Sequence, residues 1–539
     1  MMEPYQRPGI DDRPDLDKAL SAEDKAAVAR LAADPHRLAP EETVEQPTAQ
    51  AARLAADGTA SVAAAAQVDT AVPDYSSSFL DMRDPLVAAD GERPDERART
   101  RLKWAFGIGA FLIAAPWTTL NLVAIPNQIA LGAGIDVARA DPTMLARAAE
   151  LPWTLCAIIG VGAVWSLLFT PLVAALSDRT RVTFGRRTPW LAAGGLLSAL
   201  LTLALGATTA TVPMLLLWTL LQFSYAMLVV PLSSAVSERV PDKFRDAIER
   251  WNAIGVIAGQ AAGGVVGGLA IGFGPFNPFL CAAVMFALAG LATVLVWPRE
   301  PSSVEQPRMP FSWDEVLRAA WFTLPGGAEA KAFRCLYCSR MFMAAGVTMT
   351  AAYLWYIVRF AVYGDDPAFT SAPMTLPAGV LIALLALASF AGVALAGYAA
   401  GAITDKLAEG FGAWWRGSRA AVVSACVLYA VGLLAGLAIV VIGGERSLMV
   451  FSFIAGFASG MIDALVQPMI VDALPDAREA GRYLRMVATA KPCGTVIGVV
   501  GGACVVSVAP AGFSSAYMAL FPAAIVCVLI AALFVRKRD

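Results

Sequence analysis

The chain has 539 residues, of which 58% are hydrophobic and only 16% are charged, and its mean hydropathy is +0.61. Soluble domains are nearer half apolar and a quarter charged, so this composition argues against a soluble domain, leads us to expect no nucleic-acid partner, and favours a membrane protein. The formal net charge of −2 is unevenly distributed, since residues 1–100 hold 20 of the 43 acidic side chains but only 11 of the 41 basic ones.

Residues 1–100 form an acidic segment that we predict to be a cytoplasmic, mostly disordered tail. The segment is rich in Ala, Pro, Asp, Glu and Arg and poor in aromatic residues. Such a composition buries too little apolar surface to offset the entropy cost of ordering the chain. No apolar run occurs near the N-terminus, so we expect the first membrane span to act as an uncleaved insertion signal.

From Trp104 onward, apolar stretches recur that match the roughly 20 residues a helix needs to cross about 30 Å of hydrocarbon. We predict an all-α membrane protein with 12 transmembrane helices, in which residues 101–297 form an N-terminal six-helix bundle, 298–335 a cytoplasmic linker and 336–539 a C-terminal six-helix bundle. The predicted spans 1 to 12 are residues 104–126, 152–176, 189–208, 212–236, 251–272, 278–297, 336–360, 376–402, 420–442, 447–471, 487–508 and 515–535.

The positions of the basic residues predict the orientation. Lys and Arg concentrate in alternate loops, for example Arg186 and Arg187 after span 2 and Lys243 and Arg245 after span 4. Basic residues near span ends mark the cytoplasmic side of a membrane. We therefore expect a multi-pass protein of the plasma membrane with both termini in the cytoplasm.

An internal repeat relates the two halves. "SERVPD" at 237–242 and "VDALPD" at 471–476 both end a span, and "GVVGG" occurs at 264–268 and again at 498–502, each pair with an offset of 234 residues. Two copies of a six-span unit have the same orientation, because each copy crosses the membrane an even number of times. We expect the copies to be related by an axis along the membrane normal.

The loop after span 2 carries a charged signature, "TPLVAALSDRTRVTFGRRTPW" at 170–190. With its twelve spans in two parallel halves, the chain resembles the major facilitator superfamily, and the loop is similar to that of the sucrose-transporter and glycoside–cation symporter branch. Ala174 and Thr188 depart from the pattern of that branch. The matching residues are Pro171, Ser177, Asp178, Arg179, Gly185, Arg186, Arg187 and Pro189.

The resemblance implies that this loop braces one conformation of an alternating-access transporter. Asp178 ends span 2, where the helix dipole disfavours a carboxylate, so it should have a basic partner such as Arg179 or Arg187. A plain topology signal would explain the basic residues but would need neither Asp178 nor Gly185. The predicted gating residues are Asp178, Arg179, Gly185, Arg186, Arg187 and Glu238 in the first half, and Asp405 and Asp472 in the second.

Glycines recur every four residues in span 5, at 255, 259, 263 and 267. Small residues at this spacing let helices approach closely. In the family, spans 2, 5, 8 and 11 meet between the halves, so we expect these glycines, with Gly397, Gly401, Gly494 and Gly498, to form surfaces on which the halves move. Static tight packing is the alternative.

Asp463 is predicted to carry protons, because an ionisable group inside a span is costly and tends to be functional. Arg340 is its candidate partner, and a permanent structural ion pair is the alternative. Span 2 contains no acidic residue, which makes sodium a less favoured coupling ion than the proton. We expect no cofactor besides the proton gradient and no metal site, since His36 is the only histidine and Cys335 and Cys338 have no second cysteine pair or histidine nearby in sequence.

Amides and aromatic side chains at helical spacing predict a sugar site, since sugars need hydrogen-bond partners for hydroxyls and aromatic faces for C–H surfaces. Each residue alone would more often form an interhelical hydrogen bond. The predicted substrate contacts are Asn121, Gln128, Gln222, Tyr225, Gln260, Tyr353, Tyr356 and Gln467.

These features predict a proton-coupled importer of a sucrose- or maltose-like glycoside, acting as a monomer in the lipid bilayer. A drug or metabolite exporter of the same superfamily is the main alternative, although "GQAAGG" at 259–264 has Gln260 where such exporters often have proline. A membrane receptor or scaffold that signals through the tail is less favoured. An enzyme is not expected, because no nucleophile–base pair or phosphate-binding loop is present in the sequence.

Overall fold

The structure is a computed structural model that describes residues 86–88, 93–134, 149–306, 310–321, 323–363, 375–411, 417–438, 443–476, 479–509 and 516–536, without the side chains of 407–411, 417–418, 467–468 and 480. Nearly all of the predicted tail lies outside these ranges. The described residues form helices and their connecting loops, and they include twelve helices long and apolar enough to cross a membrane, which confirms the predicted fold class.

The spans of the structure are mostly longer than the predicted ones because the helices continue into polar sequence at their ends, for example Glu96–Lys103 in span 1 and Asp242–Arg250 in span 5. Spans 1 to 12 are Glu96–Gly132, Leu151–Asp178, Thr188–Gly206, Thr211–Arg239, Asp242–Phe273, Asn277–Val296, Lys331–Val362, Thr375–Lys406, Arg419–Leu437, Gly444–Val471, Gly481–Val508 and Tyr517–Arg536.

Spans 1 and 7 share an irregularity in the second half of each helix. Each contains a π-helical turn, at Leu120–Ala124 in span 1 and at Ile357–Val362 in span 7. Such turns inside α-helices occur frequently at functional sites. Their recurrence supports the predicted duplication.

The two halves repeat one packing pattern. Span 1 packs on spans 5 and 6, span 3 on spans 4 and 6, and span 2 on span 4. In the second half, span 7 packs on spans 11 and 12, span 9 on spans 10 and 12, and span 8 on span 10, which is the same pattern. The extensive contacts between the halves join span 2 to span 11 and span 5 to span 8, and exchanging the halves converts one contact into the other. This is the relation expected of a pseudo-twofold axis.

The glycine row of span 5 packs within its own half, so the prediction that it lies between the halves is wrong. A Cβ atom built on Gly255, Gly259 or Gly263 would lie within 2.5 Å of a backbone carbonyl oxygen of span 1. Gly494 and Gly498 of span 11 lie against span 7 in the same way. The neighbouring face of span 5 meets the other half, where Gly268 lies against the Gly379 carbonyl oxygen of span 8.

These contacts also correct the register of the repeat. Gly259 and Gly263 contact the backbone oxygens of Phe111 and Ala115, whereas Gly494 and Gly498 contact those of Met341 and Ala345. Gly264 lies against Ala386 of span 8, so the two "GVVGG" strings, which start at Gly264 and Gly498, present different packing faces. The two strings are identical because both helices are rich in glycine and valine. Which glycines are structurally equivalent depends on the helix face that packs.

Among the described residues, the contacts found between the halves lie toward one end of the spans. We call the end that carries residues 177–190 and 237–242 the basic side, and the opposite end the far side. On the far side, Trp153 of span 2 donates to Ser507 of span 11 at 2.9 Å, and Gly268 approaches Gly379. On the basic side, a Cβ on Gly397 or Gly401 of span 8 would meet nothing within 4 Å, so the predicted contact surface there is open.

Candidate functional site

Arg187 joins the ends of spans 2, 3 and 4 on the basic side. Its side chain is 1% exposed, and its guanidinium donates to both carboxylate oxygens of Glu238 at the end of span 4. It also donates to Ser177 Oγ and Asp178 Oδ1, each at 2.5 Å, at the end of span 2. Arg186 forms a second ion pair with Glu238 at 2.8 Å. The structure thus brings together the charged groups that the sequence paired, while their role in gating stays a prediction.

This environment keeps Arg187 charged. Burial removes water from the guanidinium and by itself lowers its pKa, but the hydrogen bonds and charges of Glu238 and Asp178 outweigh that effect. The net result is a raised pKa for Arg187. All three helices of the cluster belong to the N-terminal half, so the cluster stabilises that half internally in this conformation.

Glu300 follows span 6 and caps the start of span 3. Its carboxylate accepts the backbone N–H groups of Arg186, Arg187 and Thr188 at 2.9 to 3.1 Å, and the Thr188 hydroxyl at 2.9 Å. The unpaired N–H groups and the helix dipole favour an anion at this position. Gly185 has a φ of +86°, and a Cβ there would lie 2.2 Å from Glu300 Cγ and Cδ. Glycine therefore provides both the turn conformation and the room for the carboxylate.

Arg179 connects the same loop to the predicted linker. Its guanidinium donates to the Pro310 carbonyl oxygen at 2.8 and 3.0 Å and to Glu315 Oε2 at 3.2 Å. Glu315 lies on a short linker helix, Trp313–Ala320. Ser303 also bonds the backbone N–H and carbonyl of Val182. Ser303, Pro310 and Glu315 therefore attach this part of the linker to the N-terminal half.

The second half has no corresponding cluster among the described side chains. Asp405 and Asp472 occupy the predicted places at the ends of spans 8 and 10, and both are exposed. No ion pair of either carboxylate is found in the part of the chain that the structure describes. The charged cluster is thus one-sided in this conformation.

Span 4 presents three polar groups on one face. Trp218, Gln222 and Tyr225 follow one another at helical spacing, so their side chains lie one above the other. Within the described residues, no hydrogen-bond partner is found for Trp218 Nε1, the Gln222 amide or the Tyr225 hydroxyl. Trp218 is 1% and Gln222 6% exposed. Buried polar groups are nearly always paired, so this face has hydrogen-bonding capacity for a bound solute.

Two neighbouring helices shape that face. The Trp117 ring of span 1 stacks on Trp218 and Tyr225, with centroid distances of 5.0 and 3.9 Å. Asn121 lies one turn further along span 1 and donates to the Trp117 carbonyl oxygen at 2.8 Å. A Cβ on Gly162 of span 2 would lie 2.4 Å from Trp218 Nε1, so only glycine leaves room for the indole. We call Trp117, Asn121, Trp218, Gln222 and Tyr225 the stacked site.

The other predicted amides lie elsewhere. Gln128 donates to the carbonyl oxygens of Gly206 and Thr208 at 3.2 and 2.8 Å, and so joins the far-side end of span 1 to the end of span 3. Gln260 of span 5 is exposed, one turn before Gly264, whose Cβ position lies against span 8. The Gln260 side chain therefore points toward the other half where the halves separate. The side chain of Gln467 lies outside the described residues.

Tyr353 and Tyr356 lie in the far-side contact between the halves. The Tyr356 hydroxyl donates to the Pro126 carbonyl oxygen of span 1 at 3.0 Å. The Tyr353 hydroxyl donates to the Val499 carbonyl oxygen at 2.7 Å, and the Pro152 carbonyl oxygen lies 3.3 Å from the same hydroxyl. Both rings are fully buried. In this conformation the contacts of Tyr356 with Pro126 and of Tyr353 with Pro152 join the halves, and substrate contact by either tyrosine stays a prediction.

Asp463 is exposed in span 10, and the described residues form no ion pair or hydrogen bond with it. It is therefore not paired with Arg340, which is half-buried and interacts elsewhere. The permanent ion pair considered from the sequence is absent between these two residues. A role in proton coupling stays a prediction for both.

Sequence reasoning missed Trp117, Trp218 and Glu300. A weak signal existed for the two tryptophans, since each lies four residues before a predicted amide, Asn121 or Gln222, and therefore on the same helix face. No local signal identified Glu300, because its partners lie more than a hundred residues earlier in the chain.

Comparisons with known proteins agree with this architecture. A sequence profile described as Major Facilitator Superfamily matches residues 106–444. No curated protein matches the chain. A mutant of the nucleoside transporter NupG superposes with a TM-score of 0.55 at 15% identity, covering 81% of this chain and 99% of that one. A bacterial homolog to the human lysosomal transporter Spinster, solved in an inward-facing and unoccupied conformation, gives 0.51 at 15% identity, covering 83% and 97%. At such identities the similarity shows a shared fold.

Proposed function

The chain belongs to the Major Facilitator Superfamily, and on this premise we propose that it is a secondary active transporter that imports a sucrose- or maltose-like sugar by proton-coupled alternating access. It acts from the plasma membrane with both termini in the cytoplasm. The membrane location rests on twelve apolar helices, and the orientation on the basic loops.

The stacked site carries this proposal. Its unpaired Trp218 Nε1, Gln222 amide and Tyr225 hydroxyl supply a donor and two groups that can both donate and accept hydrogen bonds. The partly exposed Trp117 ring supplies an aromatic surface beside them. A sugar offers its hydroxyls to these hydrogen-bonding groups and its C–H surfaces to the Trp117 ring.

The arrangement of the halves supports alternating access. Contacts between them lie on the far side, while Gly397 and Gly401 are open on the basic side. With the basic side in the cytoplasm, this is an inward-open state. Import then requires the far-side contacts of Gly268, Tyr353 and Tyr356 to separate.

A nucleoside is the second candidate substrate, because its flat base suits a stack on Trp117 and its ribose suits the amide. Base–aromatic stacking contributes about 1–3 kcal/mol. The structural relative NupG is a nucleoside transporter, but the nucleoside candidate rests on the ring geometry and not on that likeness.

Uptake into proteoliposomes tests the proposal. Labelled sucrose, maltose and uridine are offered with and without an inward proton gradient. We expect a sugar to accumulate only with the gradient, whereas accumulation of uridine alone would replace the sugar proposal with the nucleoside one.

Trp117→Ala checks the stacked site. Loss of an aromatic contact worth about 1–1.5 kcal/mol predicts a KM roughly tenfold higher. Trp313→Ala, which truncates an exposed tryptophan of the linker helix, serves as the matched control and should leave KM unchanged. Equal KM values for the two variants would rule out substrate stacking on Trp117.

A further inference from the structure

Two cysteines face each other across the far-side contact between spans 2 and 11. The helices run antiparallel, so a step forward along one matches a step backward along the other. Trp153 donates to Ser507 at 2.9 Å, and further along, Gly160 lies against Val499. Cys156 comes three residues after Trp153 and Cys504 three residues before Ser507. The two contacts on either side therefore place the cysteines opposite one another.

The helices are close at this level. A Cβ on Gly160 would lie 3.4 Å from Val499 Cγ2, which is ordinary van der Waals contact. Both cysteines are free, with Cys504 exposed and Cys156 buried at 7% exposure. A disulfide needs Cα atoms about 4.4–6.8 Å apart, so the site requires positions 156 and 504 to come within this range.

We propose that Cys156 and Cys504 form a reversible redox site whose disulfide ties the two halves together on the far side and holds the protein open on the basic side. The inference rests on the proposed alternating access only for its effect on transport. Packing alone would explain either cysteine, but it does not explain a pair at matched positions on opposite halves.

The chemistry needs a hydroperoxide as the oxidant. The exposed Cys504 thiolate attacks the peroxide oxygen, which breaks the O–O bond, releases an alcohol and leaves a sulfenic acid on Cys504. The Cys156 thiol then attacks that sulfur, the S–S bond forms and water leaves, so two thiols lose two electrons in total. A dithiol such as dithiothreitol reverses the reaction by exchange.

The disulfide is detected directly by mass spectrometry. The full-length protein in proteoliposomes is treated with tert-butyl hydroperoxide and digested without reduction. We expect a linked peptide pair containing Cys156 and Cys504, which disappears after dithiothreitol. Absence of the linked pair would overturn the site, whether or not any solute is transported.

Uptake measurements on the same samples test the effect on transport. We expect uptake to fall to background after oxidation and to recover after dithiothreitol, while Cys504→Ser stays insensitive. Cys281→Ser, which removes a half-buried cysteine of span 6, is the matched control and should remain sensitive. A linked pair with unchanged uptake, or equal loss in Cys504→Ser, would refute the conformational effect. If untreated protein transports no sugar or nucleoside, the proposed function fails while the linked pair still decides the redox site.

Discussion

Replacing Glu238 by glutamine tests whether the cluster around Arg187 stabilises the N-terminal half. The substitution preserves the shape of the side chain but removes the charge that faces Arg186 at 2.8 Å and the buried Arg187 guanidinium. Asp178 would then be the only carboxylate left on the Arg187 guanidinium, and its side chain is 38% exposed. The Arg186 guanidinium would lose the negative charge of Glu238, and the Arg187 guanidinium would keep one partly hydrated anion.

The expected loss follows from the burial of the pair. Breaking a buried ion pair by removing one partner costs about 3–5 kcal/mol, and the side chains of Arg187 and Glu238 are 1% and 9% exposed. The glutamine oxygen can still accept one hydrogen bond, so we expect the free energy of unfolding to fall by about 3 kcal/mol. For a unit of about 150–250 residues, each kcal/mol lowers Tm by roughly 2–4 °C. The Tm of Glu238→Gln should therefore fall by at least about 5 °C.

The assay is thermal unfolding of the purified protein in detergent, with Glu315→Gln as the matched control. Glu315 pairs with Arg179 at 3.2 Å, but its side chain is 69% exposed, so removing its charge should cost less than about 1 kcal/mol. Equal Tm values for Glu238→Gln and Glu315→Gln would refute the reasoning, because burial would then make no difference to these ion pairs.

Three further variants test other contacts. Gly185→Ala should lower Tm, because its Cβ would overlap Glu300 and its φ of +86° disfavours alanine, whereas Gly327→Ala, also at positive φ but with nothing within 4 Å, should lower Tm less. Gly268→Leu should separate spans 5 and 8 on the far side and therefore speed maleimide labelling of the buried Cys156. The control Gly397→Leu should leave the labelling rate unchanged. An unchanged rate in Gly268→Leu would contradict the contact between spans 5 and 8. Asp463→Asn should abolish proton-driven accumulation while sparing exchange, and full accumulation in this variant would exclude Asp463 as the proton carrier.

The sequence by itself was sufficient for the helices and for the ion pairs near them. Spans are recognisable because a segment that crosses hydrocarbon must be long and apolar, a property of consecutive residues. The pairing of Asp178, Arg187 and Glu238 was also predictable, since the ends of spans 2, 3 and 4 must meet on one side and buried charges need partners. The family resemblance added the spans that meet between the halves.

Only the tertiary structure decided which helix faces meet. The four glycines of span 5 permit close approach to any helix, and the sequence does not say whether the neighbour is span 1 or span 8. Tyr353 and Tyr356 were equally suited to a substrate or to a backbone carbonyl, and the packing of the halves assigned them to carbonyls in this conformation. Glu300 reaches Thr188 across more than a hundred residues. Such contacts depend on the rotation of each helix about its axis, which is set by packing against all its neighbours at once.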